Sequence, residues 1–295
     1  YDRYHNRFIA LTLLYGPDTT NYMLLSFSIN ENPTGGWNHY YVGTDSLDDG
    51  QYFDFPSVGM NKHEIFITGH MSTDNGNFAG NKIFQIHKQE GYDNQPLKMR
   101  TWHDVRDAEG DLVHTIVPLS EGMMSETYDR GIYLVSTKYV LAAQTSDKLF
   151  WYHISDHYDA PGVTLTAQMT NSLQPYMDPP PAAQLGSPAL LDVADSKVQS
   201  GFFMDSVLNF VYCREFQGYS VIVLNRLDLR TGTLQRYPWG NTGGQMSFTY
   251  PSIAFSGVDS TDPDNITMGF LRTGPTIFPE IAAVHFDDGA FWNNS

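Results

Sequence analysis

The residues that could do chemistry in this sequence are mostly carboxylates. Asp54, Glu121 and Asp205 stand in or at the end of the apolar runs FDFPSVGM, HTIVPLSEG and VQSGFFMDS. Two carboxylates facing one sugar are what a retaining or inverting glycosidase needs: one protonates the leaving oxygen, the other attacks or activates water. Chain spacing alone does not bring these three together, so glycoside hydrolysis is the alternative expectation. A second acidic set is RDAEGDL, with Asp107, Glu109 and Asp111 around Gly110, and a third is DSTDPDN, with Asp259, Asp262 and Asp264. Oxygen-only donors of this kind suit calcium. Neither set has EF-hand spacing, and a solvated acidic loop is the other reading.

The ten histidines are scattered, with no His-x-x-x-His on a helix and only Cys213 as a thiol. A closed zinc site is therefore not expected, and His153 and His157, which flank a hairpin, read as solvated. Tyr250, Trp102 and Trp151, with Asp54, are the candidate binding residues, because aromatic faces stack on sugars. Trp37, Tyr40, Tyr41, Tyr152 and Trp239 belong to the same group, and packing between sheets is the favoured role for most of them.

Composition narrows the classes. Seventeen basic against 33 acidic side chains give −16, which argues against a nucleic-acid backbone as partner. The single cysteine, inside LNFVYCREF, excludes an internal disulfide and reads as core. No glycine-rich loop opens a helix, no Ser–His–Asp order stands out, and no apolar run reaches 18 residues. The chain begins at Tyr1 without a signal-like segment, so a piece of a longer polypeptide is expected.

The elements that would position these residues are strands. Short β-branched and aromatic runs begin at Asn21, Asn81, Leu149, Tyr219 and Pro279, 60–70 residues apart. Each follows another apolar run, such as RFIALTLL or EIFITGHM, and a third strand usually comes next. Consecutive hairpins at such a period predict propeller blades rather than a sandwich. The expected fold is all-β, a single propeller of four-stranded antiparallel blades, about five of them, with approximate bounds 1–48, 49–108, 109–172, 185–240 and 245–295. FDFPSVGM and FTYPSIAF (Phe248–Phe255) repeat one phrase because both fill the innermost strand, where Ser57, Gly59, Ser252 and Ala254 suit tight packing. VQSGFFMDS and HTIVPLSEG take the same slot in other blades. The Pro-rich Met177–Pro188 reads as a rigid connector.

Three segments carry a resemblance to a known group: Tyr1–Tyr41, Phe53–Met71 with KIFQIHKQ, and Pro179–Cys213. Together they cover about a third of the chain and resemble secreted bacterial β-propeller proteins of the sialidase-like superfamily. The resemblance implies the propeller fold and an exported, cell-surface setting. HFDDGAFW, at Asp287, Gly289 and Trp292, and STDNGNF, at Ser72, Asp74 and Gly76, are similar to the Asp-box turns of sialidases, which are folding elements. The arginine triad of sialidases has no counterpart, since Arg7, Arg226, Arg230 and Arg236 fall on outer strands or hairpins. The main expectation is thus a non-catalytic surface scaffold or binding module with a protein or glycan partner. Further domains of the same polypeptide are expected beside it.

Overall fold

The structure is a computed structural model that describes residues 1–15, 21–43, 51–73, 75–123, 129–140, 143–240, 245–258 and 265–287. It is all-β and of the β-propeller class, built from successive antiparallel meanders. The first meander holds β1 (Ile9–Tyr15), β2 (Asn21–Ser28) and β3 (Trp37–Gly43). The second holds β4 (Gln51–Met60), β5 (Glu64–Thr73), β6 (Phe78–His87), the one-turn helix α1 (Lys88–Tyr92) and β7 (Met99–His103). The third holds β8 (Val117–Glu121), β9 (Ile132–Thr137), β10 (Ser146–Ile154) and β11 (Leu165–Tyr176).

A small hairpin follows, β12 (Ala182–Gln184) with β13 (Ser187–Leu191), where the sequence suggests only a connector. The fourth meander holds β14 (Val198–Met204), β15 (Val207–Phe216), β16 (Tyr219–Asp228) and β17 (Thr233–Trp239). The fifth holds β18 (Ser247–Phe255), β19 (Ile266–Gly274) and β20 (Ile277–Phe286). The inner strands β8 and β14 pair in parallel, Phe202 with Ser120 and Phe203 with Glu121, which joins the third and fourth meanders into one sheet.

Local chemistry explains the reversals. Asp205 and Ser206 both take positive φ (48° and 62°), as do Gln217 and Gly218 (52° and 84°). Two left-handed residues in succession make the tight turn whose twist matches antiparallel strands. The middle strands β5, β6, β15 and β16 are buried along nearly their whole length. Continuous burial, rather than alternation, means that both faces of these sheets are covered.

The chain divides into two compact units. One comprises Tyr1–Pro118, Thr127–Ile132 and His153–Thr166; the other comprises Leu119–Glu126, Tyr133–Tyr152 and Ala167–Ser295. The core of the first is Met23, Leu25, Phe27, Phe53, Ile65, Ile67, Phe84 and Ile86 with their neighbours. The core of the second gathers Phe202, Met204, Val211, Cys213, Ile222, Phe248, Met268 and Phe270. Cys213 is fully buried, and burial pushes its thiol up to about 12, which makes it the inert core residue expected.

The two copies of the repeated phrase share a backbone device that sequence does not display. In β4 the register shifts between Asp54 and Ser57; in β18 it shifts between Thr249 and Ser252. Two residues, aromatic then proline, therefore face one residue of the next strand, which is a β-bulge. The aromatic is left-handed in both, Phe55 at φ 51° and Tyr250 at φ 49°. Tight packing holds at Gly59, where a Cβ would lie 2.8 Å from Pro118. Ser252 and Ala254 are exposed instead.

Candidate functional site

The bulge in β4 organises a cluster at one end of the second meander. Proline at 56 removes an N–H and restricts its predecessor, and the chain responds by turning Phe55 outward, 53% exposed. A left-handed non-glycine residue costs of order 1–3 kcal/mol, so the surrounding sheet must impose it. Gly69 makes this possible. A Cβ there would come within 2.4 Å of the Phe53 ring and 2.7 Å of the Asp54 carbonyl oxygen, so only glycine lets the bulge approach β5 so closely.

Asp54 lies directly opposite His70 in the β4–β5 ladder, half-buried, and its Oδ1 accepts the Phe55 N–H at 2.8 Å. His70 is buried, with ring centroids of Phe55 at 5.3 Å, His114 at 4.8 Å and Phe78 at 6.4 Å. His114 also lies 4.8 Å from Phe78. The site is thus one carboxylate, two imidazoles and two phenyl rings, with Phe55 as its open face. Asp54, His70 and His114 are groups suited to proton transfer, and an exposed ring beside them is a surface on which a sugar can stack.

His114 reaches the cluster because the connection between β7 and β8 is fastened to β6. Asn81, buried in β6, accepts the Val105 N–H (2.8 Å) and donates to the carbonyls of Val105 (2.9 Å) and Val113 (2.7 Å). Thr68 adds a bond from its hydroxyl to the Ile116 carbonyl at 2.5 Å. The acidic set rides on the same connection. One ligand atom from each of Asp107, Glu109 and Asp111 lies within 4.8 Å of the others; Asp107 is buried and the other two are exposed. Asp107 Oδ1 accepts the N–H groups of Glu109 (2.9 Å) and Asp111 (3.1 Å), which fixes the turn. The sequence places these three together correctly. Asp259, Asp262, Asp264 and Asp74 lie outside the described residues, as do Gly289 and Trp292 of the second Asp-box-like turn.

The other sequence candidates each stand on their own element. Glu121 ends β8 in the second unit, 6% exposed, beside Phe203. Asp205 occupies the β14–β15 turn, exposed, with Arg230 Nη1 at 3.3 Å. It is a surface turn carboxylate. Trp102 donates from Nε1 to Gln85 Oε1 at 3.3 Å and is covered by the Arg100 guanidinium 5.6 Å from its ring. Trp151 packs beside Tyr133 at 6.2 Å, and Tyr133 stacks on Phe203 at 4.8 Å. Tyr250 repeats the Phe55 geometry in the second unit, 42% exposed. Its neighbours differ, however: Thr249 stands where Asp54 does, its hydroxyl bonded to the Val193 carbonyl, and Leu271 replaces His70.

Sequence reasoning missed Phe55, His70 and His114. The signal for Phe55 was its place before proline in a repeated phrase; the histidines had none, because nothing in spacing shows that residues 70 and 114 meet. His153 is half-buried and its pKa is lowered by that burial, while His157 is half-buried and faces Glu64, so neither is the solvated hairpin residue expected.

No protein-family model matches the chain, and no curated protein matches it. Three solved structures are similar to it. One is a thermostable family-43 glycoside hydrolase, 11% identical, covering 95% of this chain and 91% of that one with a TM-score of 0.42. An endo-arabinase from Bacteroides thetaiotaomicron VPI-5482 is 13% identical over 96% and 95%, with a TM-score of 0.34. An α-L-arabinofuranosidase from Podospora anserina, solved in complex with cellotriose, is 11% identical over 84% and 94%, with a TM-score of 0.26. The expectation of a non-catalytic scaffold is corrected against these findings: the similar structures are of a glycoside hydrolase, an endo-arabinase and an α-L-arabinofuranosidase. None of the three is a sialidase, and the fold is propeller-like without being tied to that superfamily.

Proposed function

We propose that the protein is a polysaccharide-active glycoside hydrolase whose substrate lies on Phe55 beside Asp54. The observation that carries this reading is Phe55 itself: an exposed aromatic held at φ 51° next to a half-buried carboxylate. Strain of that kind collects at ligand clamps, where the surroundings over-determine a costly conformation. Asp54 serves as one member of the carboxylate pair that glycosidic cleavage uses, and His70 stands directly across the ladder from it. Tyr250 repeats the construction within the second unit. The finer parts of the proposal are an exported, cell-surface setting, a glycan partner, and calcium at Asp107, Glu109 and Asp111. The fit to calcium is chemical. All three donors are hard oxygens, and oxygens bound to one ion at about 2.4 Å are at most about 4.8 Å apart. In the described residues no helix is long and apolar enough to cross a membrane.

The test is reducing-end release from a panel of neutral and acidic polysaccharides, arabinan among them. Asp54→Asn is expected to abolish turnover while leaving glycan binding intact; Phe55→Ala is expected to weaken binding by about 1–3 kcal/mol, the worth of one stacked ring pair with its burial. An Asp54→Asn variant as active as the parent would sink the assignment.

A further inference from the structure

A cavity lies at the other end of the second meander, within the first unit. It has a volume of about 350 Å³ and is lined by His63, His87, Lys98, His157, Tyr158 and Asp159. His63 precedes β5, His87 ends β6, Lys98 precedes β7, and residues 157–159 come from the turn between β10 and β11. Glu64, next to His63, and His70 of the Phe55 cluster are both in β5. Their separation along the strand is about 20 Å at about 3.4 Å per residue, so the two places are distinct.

The backbone around the cavity is held from several sides. Asn61, fully buried, accepts the N–H groups of His63 (2.9 Å) and Glu64 (2.7 Å) at Oδ1, and donates from Nδ2 to the Gly131 carbonyl at 2.8 Å. The His63 carbonyl accepts the Lys88 N–H at 2.9 Å. On the facing side, buried Glu64 accepts the Tyr158 N–H at 2.7 Å, and Arg100 Nε donates to the Tyr158 carbonyl at 2.6 Å. Gln85 donates to Glu64 Oε2 (3.1 Å) and to the Asp156 carbonyl (2.9 Å). The side chains on this frame are not spent in holding it. The rings of His63 and His157, the Tyr158 hydroxyl and the Asp159 carboxylate form no hydrogen bond with another of the described residues. A fixed backbone presenting uncommitted polar ends is a preorganised binding site.

The lining indicates what it binds. It carries one ammonium, Lys98, and one carboxylate, Asp159. Lys98 Nζ is 2.6 Å from Glu90 Oε1, and the His87 ring bonds the other oxygen of Glu90. The fixed charges of the lining balance, which favours a ligand without net charge. A neutral imidazole has one donor and one acceptor nitrogen, a phenol does both, and a carboxylate accepts. Sugar hydroxyls, each donor and acceptor at once, match that set. The rings of His63 and His157 stand nearly perpendicular at 5.5 Å, which suits hydroxyls spread over a ring better than one central atom. The Tyr158 ring, half-buried and 5.8 Å from that of His87, offers an apolar face for a sugar ring to cover. The volume stands at the lower end of small-molecule pockets, about 300–1,000 Å³, room for about one or two sugar rings.

We propose that this cavity is a carbohydrate-binding site for a neutral mono- or disaccharide unit, separate from the Phe55 cluster. Tyr158 supplies the stacking face. His63, His157 and Asp159 hydrogen-bond the hydroxyls, and His87 and Lys98, tied to Glu90, form the wall. No covalent bond is made or broken in it; it holds a glycan. The proposal does not rest on the glycosidase reading, and it stands whether or not Asp54 is catalytic.

The experiment is NMR of the full chain with carbon-13-labelled histidine rings, titrated at neutral pH with arabinose, xylose, glucose, galactose, cellobiose and lactose. His63→Gln, His87→Gln and His157→Gln assign the three signals. At least one sugar is expected to move all three to saturation. Asp159→Ala and Tyr158→Ala should each weaken that binding about tenfold, the worth of a hydrogen bond to a charged group or of a stacked ring. Phe55→Ala should leave it unchanged. Melting temperatures establish that the variants are folded, and Asp159→Ala, at an exposed position, serves alone if Tyr158→Ala is not. The proposal is overturned if no sugar moves these signals, or if only those of His70 and His114 respond. It is equally overturned if binding is indifferent to Asp159→Ala, or if acetate or sulfate moves the three signals as strongly as any sugar does.

Discussion

Replacing Phe55 with alanine and, separately, with glycine isolates the strain in the β4 bulge. Both variants remove the ring and its contact with His70, so the difference between them is a backbone quantity. In an ordinary strand glycine is the worse of the two by roughly 0.5–1 kcal/mol, because it loses more freedom on folding. At φ 51° alanine instead meets the left-handed penalty of about 1–2 kcal/mol. The balance favours glycine by roughly 0.5–1 kcal/mol, a reversal of the usual order. Tyr250, at φ 49°, should give the same reversal. Chemical denaturation of the four variants measures it, read as midpoint shifts at unchanged slope. If alanine equals or exceeds glycine in stability at both positions, the bulges carry no strain and the argument that they clamp a ligand fails. Glycine at 55 should also bind glycan no better than alanine does, since the ring is absent from both.

Gly69→Ala should destabilise by about 1–3 kcal/mol through overpacking against Phe53 and the Asp54 carbonyl, with reduced turnover; unchanged activity would show that the bulge tolerates displacement. Asn81→Ala removes three buried bonds to Val105 and Val113 and should cost about 3 kcal/mol at about 1 kcal/mol each. It should also speed hydrogen exchange at the Val105 amide, and retained protection there would refute the clasp. Asp2 and Lys88 form a fully buried ion pair at 2.6 Å, with Tyr92 and His5 also on Asp2 Oδ2. Asp2→Asn should cost about 3–5 kcal/mol at neutral pH by stranding the Lys88 charge, and a Met at 88 in the same variant should restore much of it. Burial alone would raise the Asp2 carboxyl, but the bonds from His5, Lys88 and Tyr92 with the Lys88 charge hold it below 3.8. The stability it contributes is therefore complete above about pH 4. It is lost as pH falls through the lower folded value. An acid-stability curve of the same shape in Asp2→Asn would contradict this.

How much of the protein was legible depended on range. The strands and their order in each meander follow from local patterns, because β-branched runs and turn residues act over a few neighbours. RFIALTLL, EIFITGHM, LNFVYCREF and YSVIVLNRLDL all became strands in the slots their spacing gave them. Asp107, Glu109 and Asp111 were likewise legible, being held together by one short turn. The bulge was half legible: proline announces that the ladder is broken, but not that Phe55 and Tyr250 turn left-handed. That outcome depends on Gly69 and on the register of β5 and β19, which are set by pairing across the sheet. His70 with His114, and His63 with His87 and His157, are separated by dozens of residues and meet only because strands and their connections end at the same edges. Sequence alone thus determined which segments become strands and how they succeed one another, since those are local properties of the chain. Which polar side chains share a pocket was decided by tertiary structure alone, because pairing register and connection anchoring, not spacing, bring them to one place.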